Sequence, residues 1–167
     1  ENSLLKARAV AEATGLVAIA DDSGLSVDVL NGAPGIFSAR WAGRHGDDSA
    51  NLNLLLAQLS DIPAEHRGAK FCCAASVASP NGFEAVEYGE LPGDLLTAPA
   101  GEGGFGYDPV FVPAQEDAPG GTGRTTAQMS PEEKNAISHR GQALRALAPA
   151  LAALVVPLST SAGDIAR

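Results

Sequence analysis

Two neighbouring carboxylates, Asp21 and Asp22, stand before Ser23-Gly24, directly after the apolar run 16–20 (LVAIA). In open α/β sheets, sites gather where strand ends meet solvent. Adjacent side chains there point in different directions, so the two acids are expected to have different tasks. One carboxylate offers a hard oxygen to Mg²⁺, and a carboxylate beside a metal-bound water also serves as its base. Asp, Ser and Gly are turn formers too, so the same four residues also read as a plain turn.

Three further groups carry possible chemistry. Residues 101–109 (GEGGFGYDP) set four glycines around Phe105 and Tyr107. Glycine lets a backbone approach a ligand, and a ring at the tip stacks on a flat base. The other reading is a flexible loop whose aromatic is tucked into the core. Residues 134–141 (KNAISHRG) gather Lys134, His139 and Arg140, all donors when protonated. A 6-oxo purine offers an acceptor where adenine offers an amino donor, so a donor-lined pocket favours the oxo base. The other reading is a solvated face between helices. Lys6, about one helical turn from Asn2, is a surface charge unless a phosphate lies nearby. Trp41, the only tryptophan, is either a core plug or a subunit contact. Zinc-type spacing, a phosphate-binding G-x-x-x-x-G-K-[ST] loop and a G-x-S-x-G nucleophile turn are lacking.

These residues need elements to hold them. Residues 2–14 read as a helix with Leu4, Leu5, Ala9 and Val10 on its apolar side, stopped by Gly15. The run 16–20 suits a buried strand ending at Asp21, and the alternation of Leu25, Val27 and Val29 suggests a second. Residues 47–59 form a capped helix with Leu52, Leu55, Leu56 and Leu59 on one face. Segments 70–79 and 83–91 form a hairpin about Pro80-Asn81-Gly82. A short strand follows at 109–112, then an exposed loop at 114–126. Ser130-Pro131-Glu132-Glu133 opens a helix with a capping box. Leu144, Leu147, Leu151 and Leu154 carry the helical period onward, with Pro149 as a kink or break. The order gives an α/β protein with a mixed β-sheet flanked by helices.

Composition narrows the function. The 167 residues suit one domain, 1–158 with a tail at 159–167, and 45% hydrophobic content allows a packed core. A net charge of −9 argues against binding a nucleic-acid polymer, while a local cluster of cations can still hold one nucleotide. No run of about 18 apolar residues crosses a membrane, and no secretory signal is seen. Cys72 and Cys73 are adjacent and, on a strand, point to opposite faces, so reduced thiols and a cytoplasmic location fit.

Four stretches together resemble the inosine triphosphate pyrophosphatase family, which acts on deaminated purine nucleoside triphosphates: ENSLLKAR at 1–8, ADDSGLSVDVLNGAPGIFSARWAG at 20–43, GGFGYDPVFVP at 103–113 and SPEEKNAISHRGQAL at 130–144. They stand in the family's order and spacing. The resemblance implies an elongated mixed sheet, two lobes with a nucleotide cleft between them, a homodimer, and Mg²⁺-dependent hydrolysis of the α–β anhydride to a nucleoside monophosphate and pyrophosphate. It implies that Asp22 is general base and metal ligand, that Lys6 faces the phosphates, and that Ser23 touches substrate. Phe105, Gly106, Tyr107 and Asp108 become the base-binding loop, with Phe105 the stacking ring, and Lys134, His139 and Arg140 read the 6-oxo group. In the family a strand with a Thr-x-Asn-x-x-Lys phosphate loop, and a further acid for the metal, precede the position of Glu1. The alternative is therefore a nucleotide-binding regulatory module without hydrolysis. Action on modified pyrimidine triphosphates is disfavoured by the donor trio. Residues 114–126 are longer than the family leads one to expect.

Overall fold

The computed structural model describes residues 1–119 and 121–155; the tail expected at 159–167 lies outside them. Helix α1 (Asn2–Thr14) ends at Gly15, whose φ of 68° lets its N–H close on the Ala11 carbonyl. Strand β1 is Ala18–Val27, helix α2 is Asp48–Gln58, and β2 (Gly68–Ala78) and β3 (Glu84–Leu95) form the expected hairpin. Strand β4 (Phe111–Pro113) follows a single 3₁₀ turn. The C-terminal part carries α3 (Ala114–Asp117), α4 (Pro131–Ile137) and α5 (His139–Val155). The α/β class holds, and the described strands pair in the order β1-β2-β3-β4, antiparallel at every step.

Strand alternation sorts the packing. The even-numbered side of β1 and β2 meets α1, where Ala7 and Ala11 pack on Ala18 and Ala78, and the Ser3 and Ser76 hydroxyls pair at 2.6 Å. The helix's buried stripe is thus Ser3, Ala7 and Ala11, while Leu5 and Val10, expected to face inward, are exposed. Small side chains let the helix lie close to the sheet, and that closeness decides which face is buried. The opposite side of β2 receives α5, with Cys73, Ala75 and Val77 against Ala143 and Leu147. A larger core joins Leu25, Val27, Leu52, Leu55, Leu59, Leu91 and Phe111, each worth ~1.5–3 kcal/mol on burial. Trp41 packs at its margin and donates to Gln58 Oε1 at 2.7 Å. Arg67, wholly buried, donates to the carbonyls of Leu59, Ile62, Leu95 and Leu96 and so ties the end of α2 to the end of β3.

Two expectations about the first strand are corrected. The chain does not break at Asp21. Residues 18–27 pair without interruption with 78–69 of β2, so the acids sit mid-strand, and the expected second strand ends in a 3₁₀ turn at Asp28–Leu30. Of the run expected as a buried strand, Leu16 and Val17 precede β1 and Ile19 lies on it as the outermost described strand, and all three are exposed rather than buried. The segment 114–126 is mostly exposed, as expected of it, and it is anchored through one side chain. Its Arg124 pairs with Glu116 at 3.0 Å and with Glu133 of α4 at 3.1 Å, and bonds from Arg124 and Thr122 hold the Glu116 carboxyl down at about 2. Of the kink or break expected at Pro149, the break does not occur, since α5 runs on through it.

Candidate functional site

Mid-strand placement sends Asp21 and Asp22 to opposite faces of the sheet. Asp22 faces α1. Its Oδ1 takes the Lys6 ammonium at 2.5 Å, and its Oδ2 accepts from Asn2 Nδ2 at 3.2 Å. Asn2 and Lys6 are four residues apart on one helical face, which is how both reach one carboxylate. Lys6 also donates to the Asp21 carbonyl at 3.2 Å. The next residue, Ser23, is turned by the same alternation to the opposite face, where its hydroxyl is buried and has no hydrogen-bond partner among the described residues. A buried orphan hydroxyl is unfavourable unless a ligand or water completes it.

On the other face, Asp21 Oδ2 accepts from Arg140 Nε at 2.8 Å. Arg140 lies in the first turn of α5, where the helix dipole disfavours a cation, and the carboxylate offsets that. The start of α5 is fixed by Ser138, whose Oγ accepts from Gly141 N at 3.0 Å, and by Gly89 of β3. A Cβ at Gly89 would lie 2.0 Å from the His139 carbonyl oxygen, so only glycine admits the helix this close.

His139 stacks on Phe71 with ring centroids 5.1 Å apart and planes 13° from parallel. Burial, with Arg140 and Lys134 adding to it, pushes its pKa down to about 4. The trio expected to be donors when protonated is therefore two cations and a neutral imidazole, which has one donor and one acceptor nitrogen. Its buried Nδ1 has no hydrogen-bond partner among the described residues.

The glycine-rich loop is organised by Asp108, which is 2% exposed. It accepts from Phe105 N at 2.8 Å, from Thr126 Oγ1 at 2.7 Å and from Lys134 Nζ at 2.5 Å. Gly104, at φ 74°, lets the chain fold over this carboxylate, which a Cβ there would strike at 2.1 Å. The two aromatics divide. Tyr107 is buried and donates to the Ser38 carbonyl at 2.9 Å, and burial raises its phenol pKa. Phe105 is 65% exposed, outside the core, with the Lys134 ammonium 4.7 Å from its ring centroid. Asp48, at the start of α2, takes Gly106 N at 2.8 Å.

A cavity of about 470 Å³ is walled by the glycine loop, by Lys134, His139 and Arg140, and by Phe71 and Ser23. It therefore collects every residue expected at the base. A second cavity, of about 420 Å³, is lined by Asn2, Asp22 and Cys72. Asp22 and the Arg140 group thus do not open into one space, but Ser23, Gly24 and Leu25 belong to both walls. Lys6 reaches the second cavity through Asp22. Asn2, Asp48, Thr126 and Phe71 were not singled out from sequence, and Asp21 was singled out only as one of a pair with no partner assigned to it. Only the spacing of Asn2 and Lys6 and the doubling of the aspartate hinted at them, since the other partners are distant in the chain.

The sequence profile of the Ham1 family matches residues 1–150. The chain is 66% identical over 155 residues to a dITP/XTP pyrophosphatase of Streptomyces coelicolor, covering 93% of this chain and 74% of that protein. Among solved structures it resembles a nucleoside-triphosphatase / dITP/XTP pyrophosphatase of Mycobacterium abscessus at 57% identity, with TM-score 0.74, 90% of this chain and 74% of that one covered. A Ham1 protein of Staphylococcus aureus matches at 41% identity and TM-score 0.80, covering 92% and 76%. With the profile spanning nearly all the described residues and relatives this close, the chain belongs to the Ham1 family.

Proposed function

We propose that this protein hydrolyses non-standard purine nucleoside triphosphates, dITP, ITP and XTP, to the nucleoside monophosphate and pyrophosphate. The observation that carries the reading is the meeting of two chemistries at Ser23-Gly24, a carboxylate–lysine pair on one side and a donor-lined, ring-edged cavity on the other. The names of the related proteins support the same substrate class.

In this reading Phe105 stacks on the purine, and Lys134, Arg140 and the neutral His139 present donors to its 6-oxo group. An adenine would set its amino donor against them and leave buried groups unpaired. Ser23, Gly106, Tyr107 and Asp108 shape the contact between base and tail. Lys6 balances charge on the phosphates. Asp22 accepts the proton of the water whose oxygen adds to phosphorus as the α–β anhydride bond breaks and pyrophosphate leaves.

Mg²⁺ belongs to this proposal. Asp22 offers one hard carboxylate oxygen set, and Mg²⁺ is commonly held by one or two carboxylates, with substrate phosphates and waters filling its remaining positions. When bound, the ion supplies Lewis-acid stabilisation of the phosphate charge. A homodimer and a cytoplasmic location complete the reading. The two free cysteines fit it, and none of the described helices is long and apolar enough to cross a membrane.

The test is pyrophosphate release with Mg²⁺ from ITP, dITP, XTP, ATP and GTP. Turnover of ITP, dITP and XTP well above that of ATP and GTP, abolished by excess chelator, is expected. Equal turnover of ATP and ITP, or full activity in chelator, overturns the substrate or the metal assignment respectively.

A further inference from the structure

The first aspartate of the pair has no task in the reading above. Its carboxylate cannot share a cation with Asp22, because β1 is paired through both residues and alternation places them on opposite faces. Asp21 turns instead to α5, where its Oδ2 takes Arg140 Nε at 2.8 Å.

That choice of atom matters. A guanidinium gripped at Nε is fixed in its plane, and its two terminal NH₂ groups stay available on the far edge. Arg140 lines the cavity that also holds Lys134 and Phe105. The side chain has four rotatable bonds and is 47% exposed, so without an anchor it would sample many positions and read nothing reliably. The anchor itself cannot drift, because β1 is hydrogen-bonded along its full length to β2.

We propose that Asp21 is a specificity-determining positioning residue. It holds Arg140 by Nε so that the terminal guanidinium nitrogens meet the oxo group of the purine, and it thereby sets the preference for oxo over amino bases. This rests on the reading of the 470 Å³ cavity as the base pocket. It gives the aspartate pair a division of labour: one strand, two successive residues, one aimed at the tail through Asp22 and Lys6 and the other at the base through Arg140.

The experiment measures binding of non-hydrolysable α,β-imido analogues of ITP and ATP by calorimetry, so that catalysis does not enter. Wild type, Asp21→Asn and Asp21→Ala are compared on the full chain, with thermal unfolding as a control. Asparagine keeps an acceptor for Nε but loses the charge; alanine loses both. The ratio of oxo to amino affinity is expected to fall in the order wild type, Asn, Ala, by about tenfold or more at alanine, as loss of a charged hydrogen bond implies. A merely structural role would weaken both analogues together and leave the ratio unchanged, and that result overturns the proposal. An absence of oxo preference in the wild type removes the base-pocket reading itself, and the proposal with it. A preserved ratio in both variants removes only the part given to Asp21.

Discussion

Replacing Gly89 by alanine should misplace the residues proposed to read the base while leaving the Asp22 side of the sheet in place. Gly89 sits on β3 opposite Cys73, on the face where α5 begins. A Cβ there would lie 2.0 Å from the His139 carbonyl oxygen and 2.7 Å from Ala143 N, where ordinary contact starts at 3.4 Å. Both obstacles are helix backbone, so neither can rotate away, and the start of α5 must recede by roughly 1 Å. The glycine lies in a paired strand, a conformation alanine adopts freely, so the effect is steric alone. Overpacking of this kind costs about 1–3 kcal/mol, or several degrees in Tm for a chain of this size. The functional effect is larger. His139 and Arg140 ride on the displaced turn, and the Arg140–Asp21 bond of 2.8 Å stretches past hydrogen-bonding range. Sites need their groups held within about 0.5 Å, and a misplacement of ~1 Å lowers rates by up to ~10²-fold. Asp22 and Lys6 are held by α1 on the opposite face. In a pyrophosphate-release assay, kcat/KM for ITP should fall by about 10- to 100-fold, with KM rising more than kcat falls. A Gly89→Ala protein with wild-type kcat/KM and wild-type Tm would refute the close approach and the reasoning built on it.

Other perturbations separate the remaining parts. Asp22→Asn should lower kcat by about 10²–10⁴-fold, the usual reach of a general base, with thermal unfolding little changed; a rate near wild type would take Asp22 out of that role. Phe105→Ala should weaken substrate by about 1–3 kcal/mol, the range for one stacked base, and since the ring is 65% exposed, stability should hardly move; an unaltered KM would sink the stacking assignment. His139 links stability to pH. Its folded pKa lies near 4 against 6.5 for the free side chain, so the unfolded chain binds the proton more readily. The stabilisation is complete above about pH 6.5 and is lost as pH falls toward 4, by at most about 3 kcal/mol. Urea midpoints at about pH 7 and pH 5 should differ more for wild type than for His139→Gln, and equal slopes would contradict the buried, neutral imidazole.

What could be read from residues alone was what depends on residues close together in the chain. The capping box at Ser130 and Glu133, the Asp47 cap accepting from Ala50 N, the Gly15 stop and the hairpin about Asn81 are each complete within a few positions, so their signals survive without tertiary context. The cationic segment proposed to meet the base was legible for a different reason: Lys134, His139 and Arg140 lie close together in the chain, and they line one cavity. The failure at the aspartate pair has a physical cause. A pair of aspartates looks like the end of a strand, because two carboxylates inside a sheet ordinarily lose too much solvation to persist. Here each is met by a cation, Lys6 from 16 residues before Asp22 and Arg140 from 119 residues after Asp21, and the strand continues because those partners arrive. Nothing local could announce them. The same holds for the glycine loop, where Phe105 and Tyr107 are alike in sequence but only the ring two positions on finds a buried carbonyl at Ser38. It follows that the strand and its two cations stand or fall together: removing either partner should destabilise β1 at the acid it leaves unpaired, on one face only, and a strand whose pairing survived the loss of both would mean that local propensity, not charge neutralisation, carries the chain through residues 21 and 22.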